Sequence, residues 1–373
     1  MDEEDPPHPP SSGDEPLARY RAMRDFRRTP EPSGGDADVP TGVAGAAAGP
    51  CGGGRFVVQE HHATSMHWDL RLERDGVLVS WAVPKGIPPD PRDNHLAVHT
   101  EDHPMMYLDF EGDIPKGEYG GGRMRVWDRG TYTCEKWEDS EVMVTLSGRR
   151  ARGRHVLFRT GGNQWMLHRL DPPEDPDRSP MPKRLRPLVP AIGTLPADEA
   201  AWSFEPAFGG QRVVVSSEGG RASAVDADGG DVTSRYPELR DLGRAVGAVM
   251  AAMEGELVVT GPGGRPDPTA LARRLSAKGD AALRRLATRS PAAFFATDVV
   301  WLEGHDTTAL PYRQRRRLLE RLELSGPSWH ASPSSPGDGA ALLVAARAQG
   351  LAGVVARRLD GAYEPDSLRF IPA

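Results

Sequence analysis

The sequence predicts a two-domain chain of mixed class, an antiparallel β-sheet or barrel followed by an α/β domain, and three observations carry that expectation. The chain has 373 residues, more than one hydrophobic core usually organises. Between Arg55 and about Asp171, short runs of alternating apolar and polar residues are separated by turn signals such as Arg74-Asp75-Gly76, Asp128-Arg129-Gly130 and Gly161-Gly162-Asn163, the pattern of several short strands. Farther along, strand-like runs (Arg212 to Ser216, Gly255 to Thr260, Phe294 to Trp301, Gly353 to Arg357) alternate with helical ones (Pro268 to Ala277, Ala281 to Ala287, Arg313 to Leu324, Ala340 to Gln349), as in mixed α/β domains.

Taken in order, residues 1–16 form an acidic, proline-rich tail, expected to be disordered, with six acids and no Lys or Arg. It lacks the basic start and apolar stretch of a secretory signal, so a cytoplasmic setting is the expectation. Residues 17–54 make an arm that starts as a short amphipathic helix, stops at Pro30, and passes into a Gly/Ala-rich linker whose composition cannot support a core. Residues 55–171 are the first folded domain, 172–190 a proline-rich linker, and 191–373 the second folded domain.

Composition narrows the function classes. Hydrophobic residues are 38% and charged residues 27%, and no apolar run is long enough to span a bilayer, so no membrane partner is expected. Only two cysteines are present, Cys51 and Cys134, too few for a disulfide framework or a cysteine-based zinc site, and both are expected to be ordinary thiols. The net charge of −7 is concentrated in the tail, because residues 17–190 hold 25 Lys+Arg against 25 Asp+Glu and residues 191–373 hold 21 against 22. Charge therefore neither favours nor excludes nucleic acid. The run Arg149, Arg150, Arg152, Arg154 and Arg159 suits either a phosphate backbone or a solvated strand face.

The chemistry-bearing segment is residues 55–86, RFVVQEHHATSMHWDLRLERDGVLVSWAVPKG. On strands, Gln59 and His61 share one face, and after a bend at Ala63 to Met66 so do His67, Asp69 and Arg71. Two neighbouring strands would unite His61, His67 and Asp69, an N/O donor set suited to divalent manganese, iron or zinc. Arg71 adds a planar fork for phosphate oxygens. A solvated polar strand face fits the spacing equally well. His62 lies on the other face. Downstream, His99, Glu101, His103 and Tyr107 cluster; His103 suits protonating or orienting a leaving oxygen, and Tyr107 a phosphate hydrogen bond. The glycines from Gly117 to Gly122 lack the Walker lysine and read as tight barrel turns.

The strings RDF..TPEP, RFVVQ.H, H.DLRLE.DGVL.SWAVPKG, LAVH.EDHP..Y.DFEG.IP.G.YG and VWDRGT closely resemble the N-terminal 3′-phosphoesterase module of bacterial ligase D, the enzyme family of non-homologous end joining. The resemblance implies a mainly antiparallel β-barrel phosphoesterase that uses manganese to remove a 3′-terminal ribonucleoside and a 3′-phosphate from DNA primer ends. It makes His61, His67 and Asp69 the metal ligands and Arg71, His103 and Tyr107 the catalytic, phosphate-handling groups. Gln59, Arg24, Asp25, Glu31 and His95 become substrate-binding candidates, Arg24, Asp25 and Glu31 on an arm that closes over the site. Two departures stand out: Ser65 replaces a common histidine, and His95 stands where an arginine would contact phosphate.

From about residue 180, PMPKRLRPLVPAIGTLP and WSFEPAFGGQRVVV resemble the α/β nucleotidyltransferase-like adenylation domain of ATP-dependent DNA ligases, with eroded motifs. The nucleophilic lysine of a Glu-x-Lys-x-Asp-Gly-x-Arg pattern is replaced by Ala207, Ala352 replaces an acid, and Arg357 replaces a lysine. The expectation is a degenerate ligase domain with no ATP chemistry, attached to an end-healing phosphoesterase acting on primer-template or double-strand-break 3′ ends in the nucleoid. Family resemblance implies Ku and a complete ligase or polymerase as partners. The alternative is a non-catalytic scaffold that binds DNA ends.

Overall fold

The computed structural model describes residues 17–34, 49–173, 175–247, 249–261 and 264–373; the predicted acidic tail and most of the Gly/Ala stretch lie outside them. The chain divides into two compact units, Met1–Pro176 and Asp177–Ala373. No helix of the described residues is long and apolar enough to cross a membrane.

The first unit contains α1 (Ala18–Ala22), β1 (Gly53–His62), β2 (Met66–Arg74), β3 (Val77–Val83), β4 (Asn94–His99), β5 (His103–Pro104), a 3₁₀ turn (Met105–Leu108), β6 (Gly112–Ile114), β7 (Gly122–Glu138), β8 (Glu141–Ser147), β9 (Arg152–Gly161) and β10 (Gln164–Arg169). Eight strands in the order β1-β2-β3-β4-β10-β9-β8-β7 close on themselves through the β1–β7 pair, and every pairing is antiparallel. Closure removes the free edges of an open sheet. The Asp75-Gly76 turn joins β2 to β3 with both residues at positive φ, 50° and 84°, the left-handed geometry that tight hairpins favour.

The helical start of the arm is short and packs on the barrel. Tyr20 is fully buried in a core with Val57, Leu78, Met105, Tyr107 and Met124, and Leu17 and Phe26 pack on that cluster. The cysteines also depart from expectation: Cys51 and Cys134 form a disulfide, with their Cα atoms 5.2 Å apart. Their backbones meet because the Cys134 amide donates to Gly52 and the Cys51 amide to Cys134, so β7 brings together residues 83 apart in sequence.

The second unit contains β11 (Ala191–Ile192), β12 (Trp202–Ala207), β13 (Gln211–Glu218), β14 (Arg221–Asp226), α2 (Leu239–Val246), β15 (Ala251–Val259), α3 (Pro268–Ser276), α4 (Asp280–Arg289), β16 (Ala292–Leu302), β17 (His305–Asp306), α5 (Tyr312–Arg321), β18 (Ser325–Gly326), β19 (Trp329–Ala331), β20 (Ser335–Pro336), α6 (Gly339–Gln349), β21 (Gly353–Arg358) and β22 (Leu368–Pro372). They build a five-stranded sheet, β11-β22-β21-β12-β20, and a seven-stranded sheet, β14-β13-β15-β16-β19-β18 with β17 beside β16. The expected linker over 172–190 ends early. Met181 and Leu185 pack against Val214, Ala252, Val300 and Trp301, and Leu188 packs beside Ala207, because these apolar side chains cover sheet surface that would otherwise face water.

Candidate metal and phosphate site

The β1–β2 register sets His61 opposite His67 and Gln59 opposite Asp69. Directly opposed residues of an antiparallel pair point to one face, so a single hairpin unites the three predicted ligands. Their ligand atoms all lie within 4.8 Å of one another. Asp69 Oδ2 is 3.5 Å from His61 Nδ1, and Asp69 Oδ1 is 3.6 Å from His67 Nε2.

Each imidazole spends its other nitrogen on a backbone carbonyl. His61 Nε2 donates to Gly120 at 2.8 Å, and His67 Nδ1 donates to Ser65 at 2.9 Å. These bonds fix both tautomers and leave lone pairs aimed toward Asp69, the outer support that metal-binding histidines commonly have. Gly120 presents its carbonyl from a backbone at φ 72°, left-handed geometry that favours glycine. Burial alone would push the Asp69 carboxyl up, but the Arg71 guanidinium beside it is the leading opposing charge, and the group is held well below the usual carboxylate range. Donor type, convergence and charge therefore fit a divalent cation.

Arg71 is almost fully buried. Nε donates to Gln59 Oε1 at 2.8 Å, Nη1 to Ser80 Oγ at 2.9 Å, and Nη2 to Asp69 Oδ2 at 3.0 Å. Of the five N–H bonds of a guanidinium, one remains on each Nη. Gln59, expected among the substrate contacts, lies beneath Arg71 instead. It has no exposed surface, and its amide donates to the carbonyls of Tyr107 and Phe110, so it aims the arginine.

The arm closes one side. Arg24 donates to Glu31 at 2.7 Å and Glu101 at 3.0 Å, and its Nη2 lies 3.3 Å from His103 Nε2. Glu31 also accepts from Thr29 at 2.7 Å and from the Tyr107 hydroxyl. His103 Nδ1 donates to the Glu101 carbonyl at 2.8 Å, leaving Nε2 as the acceptor. Burial, reinforced by Arg71 and Arg24, lowers the basicity of this ring well below its ordinary value. The ring is therefore neutral here. Burial likewise pushes the Tyr107 hydroxyl well up, so it stays protonated as a donor.

The structure thus gathers His61, His67, Asp69, Arg71, His103, Tyr107, Gln59, Arg24 and Glu31. It does not bring in Asp25, which is exposed and accepts from the Arg27 amide in a surface turn. His95 Nδ1 donates to the Gly86 carbonyl at 2.7 Å, which ties it to the β3–β4 connection. His62 pairs with Glu60 at 2.5 Å, away from the cluster. Glu101 was visible in sequence without a role; it is a junction of Arg24, Tyr119 (3.3 Å) and His103.

In the second unit, Ala207 is 3% exposed and sits in an apolar patch with Val355 and Leu368, against Leu188 and Phe370. On the neighbouring strand, opposite Ser203, Arg357 binds Glu205 at 3.1 Å, Asp298 at 3.2 Å and Glu254 at 3.3 Å, and Arg315 grips Asp298 through two bonds of 2.9 Å. Arg212 pairs with Glu254, and Glu256 accepts from the amides of Phe208 and Gly210.

Residues 59–159 match the family model described as the DNA ligase D 3′-phosphoesterase domain, and residues 191–369 match that of the ATP-dependent DNA ligase domain. Over 354 residues the chain is 40% identical to the multifunctional non-homologous end joining DNA repair protein LigD of Mycobacterium tuberculosis, an alignment covering 94% of this chain and 44% of that protein. Similarity to the Pseudomonas aeruginosa LigD is 33% over 410 residues, 95% of this chain and 46% of that one. The chain spans a little under half the length of these relatives. A solved structure of mycobacterial DNA ligase D complexed with ATP and MES aligns with 50% of this chain and 60% of its own, at 29% identity and a TM-score of 0.43.

Proposed function

The chain is a homologue of the LigD proteins, a ligase D 3′-phosphoesterase domain followed by an ATP-dependent DNA ligase domain, and from that premise we propose that it heals the 3′ ends of DNA without sealing them. Its first unit removes a 3′-phosphate or a 3′-ribonucleoside to leave a 3′-hydroxyl, as a manganese-dependent reaction at double-strand breaks in the cytoplasmic nucleoid. Ku and a complete ligase or polymerase are the partners this reading implies. The observation that carries it is the convergence of His61, His67 and Asp69 beside the two uncommitted N–H bonds of Arg71.

His61 Nδ1, His67 Nε2 and an Asp69 oxygen would hold the ion, which when bound supplies Lewis-acid polarisation of a phosphate oxygen. Arg71 binds the phosphate and stabilises charge that grows on its oxygens; being fixed by Gln59, Ser80 and Asp69, it needs no reorganisation to do so. Tyr107 keeps its proton and donates to phosphate once the arm shifts from its hydroxyl. His103, neutral with Nε2 free of a proton, orients rather than protonates the leaving oxygen in this arrangement. Arg24 adds a second guanidinium at the same edge.

For the second unit we propose neither ATP use nor ligation. The methyl group of Ala207 offers no amine, and Leu188 packs on the apolar patch that holds it, while Arg357 is committed to Glu205. The test is manganese-dependent processing of a labelled primer-template ending in a 3′-phosphate or one ribonucleotide, beside His61→Ala and Asp69→Ala. Conversion by the parent chain, with at least a hundredfold loss in both variants, supports the assignment. Folded protein that binds ends but converts none would make it a scaffold instead.

A further inference from the structure

The arginine run between β8 and β9 is a built feature of the barrel. Asp128, buried on β7, accepts from the backbone amides of Arg149, Arg150 and Ala151 at 3.1, 2.7 and 2.7 Å. Gly148 starts this turn because a Cβ there would lie 2.3 Å from the Asp128 carboxylate. The Asp128 carboxylate is thereby committed to shaping the loop. Arg149, Arg150 and Arg152 point into solvent, and none is ion-paired among the described residues. Arg152 Nε is steadied on the Gly148 carbonyl at 2.6 Å, and the Arg150 guanidinium sits 5.3 Å from the centre of the half-buried Trp127 ring. Trp127 lies at the bulge where β7 slips against β1 between Val58 and Gln59. Arg125, exposed and also without an ion pair among the described residues, precedes Trp127 on the same strand, opposite Glu60. By contrast Arg154 is neutralised by Glu135 at 2.8 Å, and Arg159 bonds the Gly162 carbonyl at 2.6 Å.

We propose that the Asp128-braced loop, Arg149, Arg150 and Arg152 with Arg125, is a docking site for the phosphate backbone of duplex DNA, separate from the metal site. The inference rests on the end-healing reading, which it deepens. Three features favour a polyanion: clustered unpaired guanidiniums in a domain of balanced charge, a loop held rigid before any ligand arrives, and an arginine stacked on tryptophan so that its fork faces outward. Distance favours the substrate's own duplex. Met124 lies opposite His61 and Asp128 opposite Val58, which faces away from His61 on β1; with the bulge the advance is three residues or about 10 Å, a span of roughly three base pairs. The loop would grip the backbone a few steps inside the end being processed and set register without reading sequence.

The experiment uses the full chain carrying Arg149→Gln, Arg150→Gln and Arg152→Gln together. Affinity for a fluorescent 3′-phosphate primer-template is measured without metal across 50 to 200 mM salt, and manganese-dependent hydrolysis is followed on that duplex and on a trinucleotide 3′-phosphate too short to reach the loop. The variant should bind the duplex about tenfold or more weaker at low salt, with the slope of log affinity against log salt shallower by about 3, and should keep trinucleotide turnover within about twofold. Unchanged duplex affinity and slope would overturn the proposal, as would an equal loss of turnover on both substrates. Weakened binding in a protein whose parent hydrolyses neither substrate would leave the docking surface standing and remove the phosphoesterase reading.

Discussion

At Arg71, three buried acceptors fix a guanidinium that sequence alone could place only on the right strand face. Gln59→Leu removes the acceptor for Nε and strands the carbonyls of Tyr107 and Phe110. Turnover on 3′-phosphate ends should fall about tenfold, equal to about 1.4 kcal/mol of barrier, while manganese affinity by calorimetry is kept; unchanged turnover would show that Arg71 needs no such support. Alternation along β1 and β2 put His61, His67, Asp69 and Arg71 on one face, and the family resemblance, not the spacing, singled them out as ligands and phosphate contact. Gln59 takes the face that alternation assigned it; its substrate-binding role came from the family resemblance, and its bonds to Arg71, Tyr107 and Phe110 give it a supporting place that alternation could not show. His155 makes a second prediction at this scale. Burial, partly offset by its bond to Gly153, lowers its basicity to about 4, so the folded chain keeps it neutral while the unfolded chain protonates near the ordinary value. The stabilisation is full above about pH 7 and is lost as pH falls toward 4, on the order of 3 kcal/mol. Urea unfolding at pH 7, 5.5 and 4 should show that decline, and His155→Phe should flatten it.

Among the elements, the arm was legible through the family resemblance and not through its own pattern. A five-residue helix and a proline-stopped turn carry little amphipathic information, yet Arg24 reaches Glu101 across 77 positions and Tyr107 reaches Glu31 across 76. Contacts so distant in sequence leave no periodic trace. Glu31→Ala frees Arg24, Thr29 and Tyr107 together, and trypsin cleavage at the exposed Arg27 and Arg28 should quicken about tenfold; an unchanged rate would mean that Tyr20 and its apolar neighbours hold the arm alone. The disulfide was equally invisible, because only the fold shows that β7 returns past the start of β1. Closing a loop with 83 residues of separation contributes up to about 4.5 kcal/mol by chain entropy. Dithiothreitol should therefore lower the melting temperature of the parent and leave Cys51→Ser with Cys134→Ser unmoved. Since reducing compartments keep thiols apart, the same comparison tests whether the cytoplasmic setting suits this bond.

For the whole molecule, the division into two units was readable from length and patterning, since a β-rich run followed by alternating strands and helices suits separate cores. Their boundary was not, because prolines marked residues 172–190 as a connection while Met181, Leu185 and Leu188 among them are core-forming. Only the first unit contains the clustered ligand set among the described residues. Calorimetry should then show manganese raising the stability of that unit alone, by about 2.7 kcal/mol at a free concentration a hundredfold above Kd. ATP with magnesium should shift neither unit. A nucleotide-dependent shift, or labelling of the protein by radioactive ATP, would return the second unit to the active ligases.

The three candidate ligands share one hairpin, β1 and β2, whereas the strand that closes the barrel on β1 comes from far along the chain, and the arm meets the site through residues 77 positions apart. Hairpins form in microseconds and remote strand pairing is much slower. During refolding, therefore, an ion can seat on the nascent hairpin before there is any enclosed site around it, and can hold the strand register that the rest of the barrel then builds upon. Refolding followed by stopped flow should be faster with manganese present from the start than with manganese added after the barrel has closed.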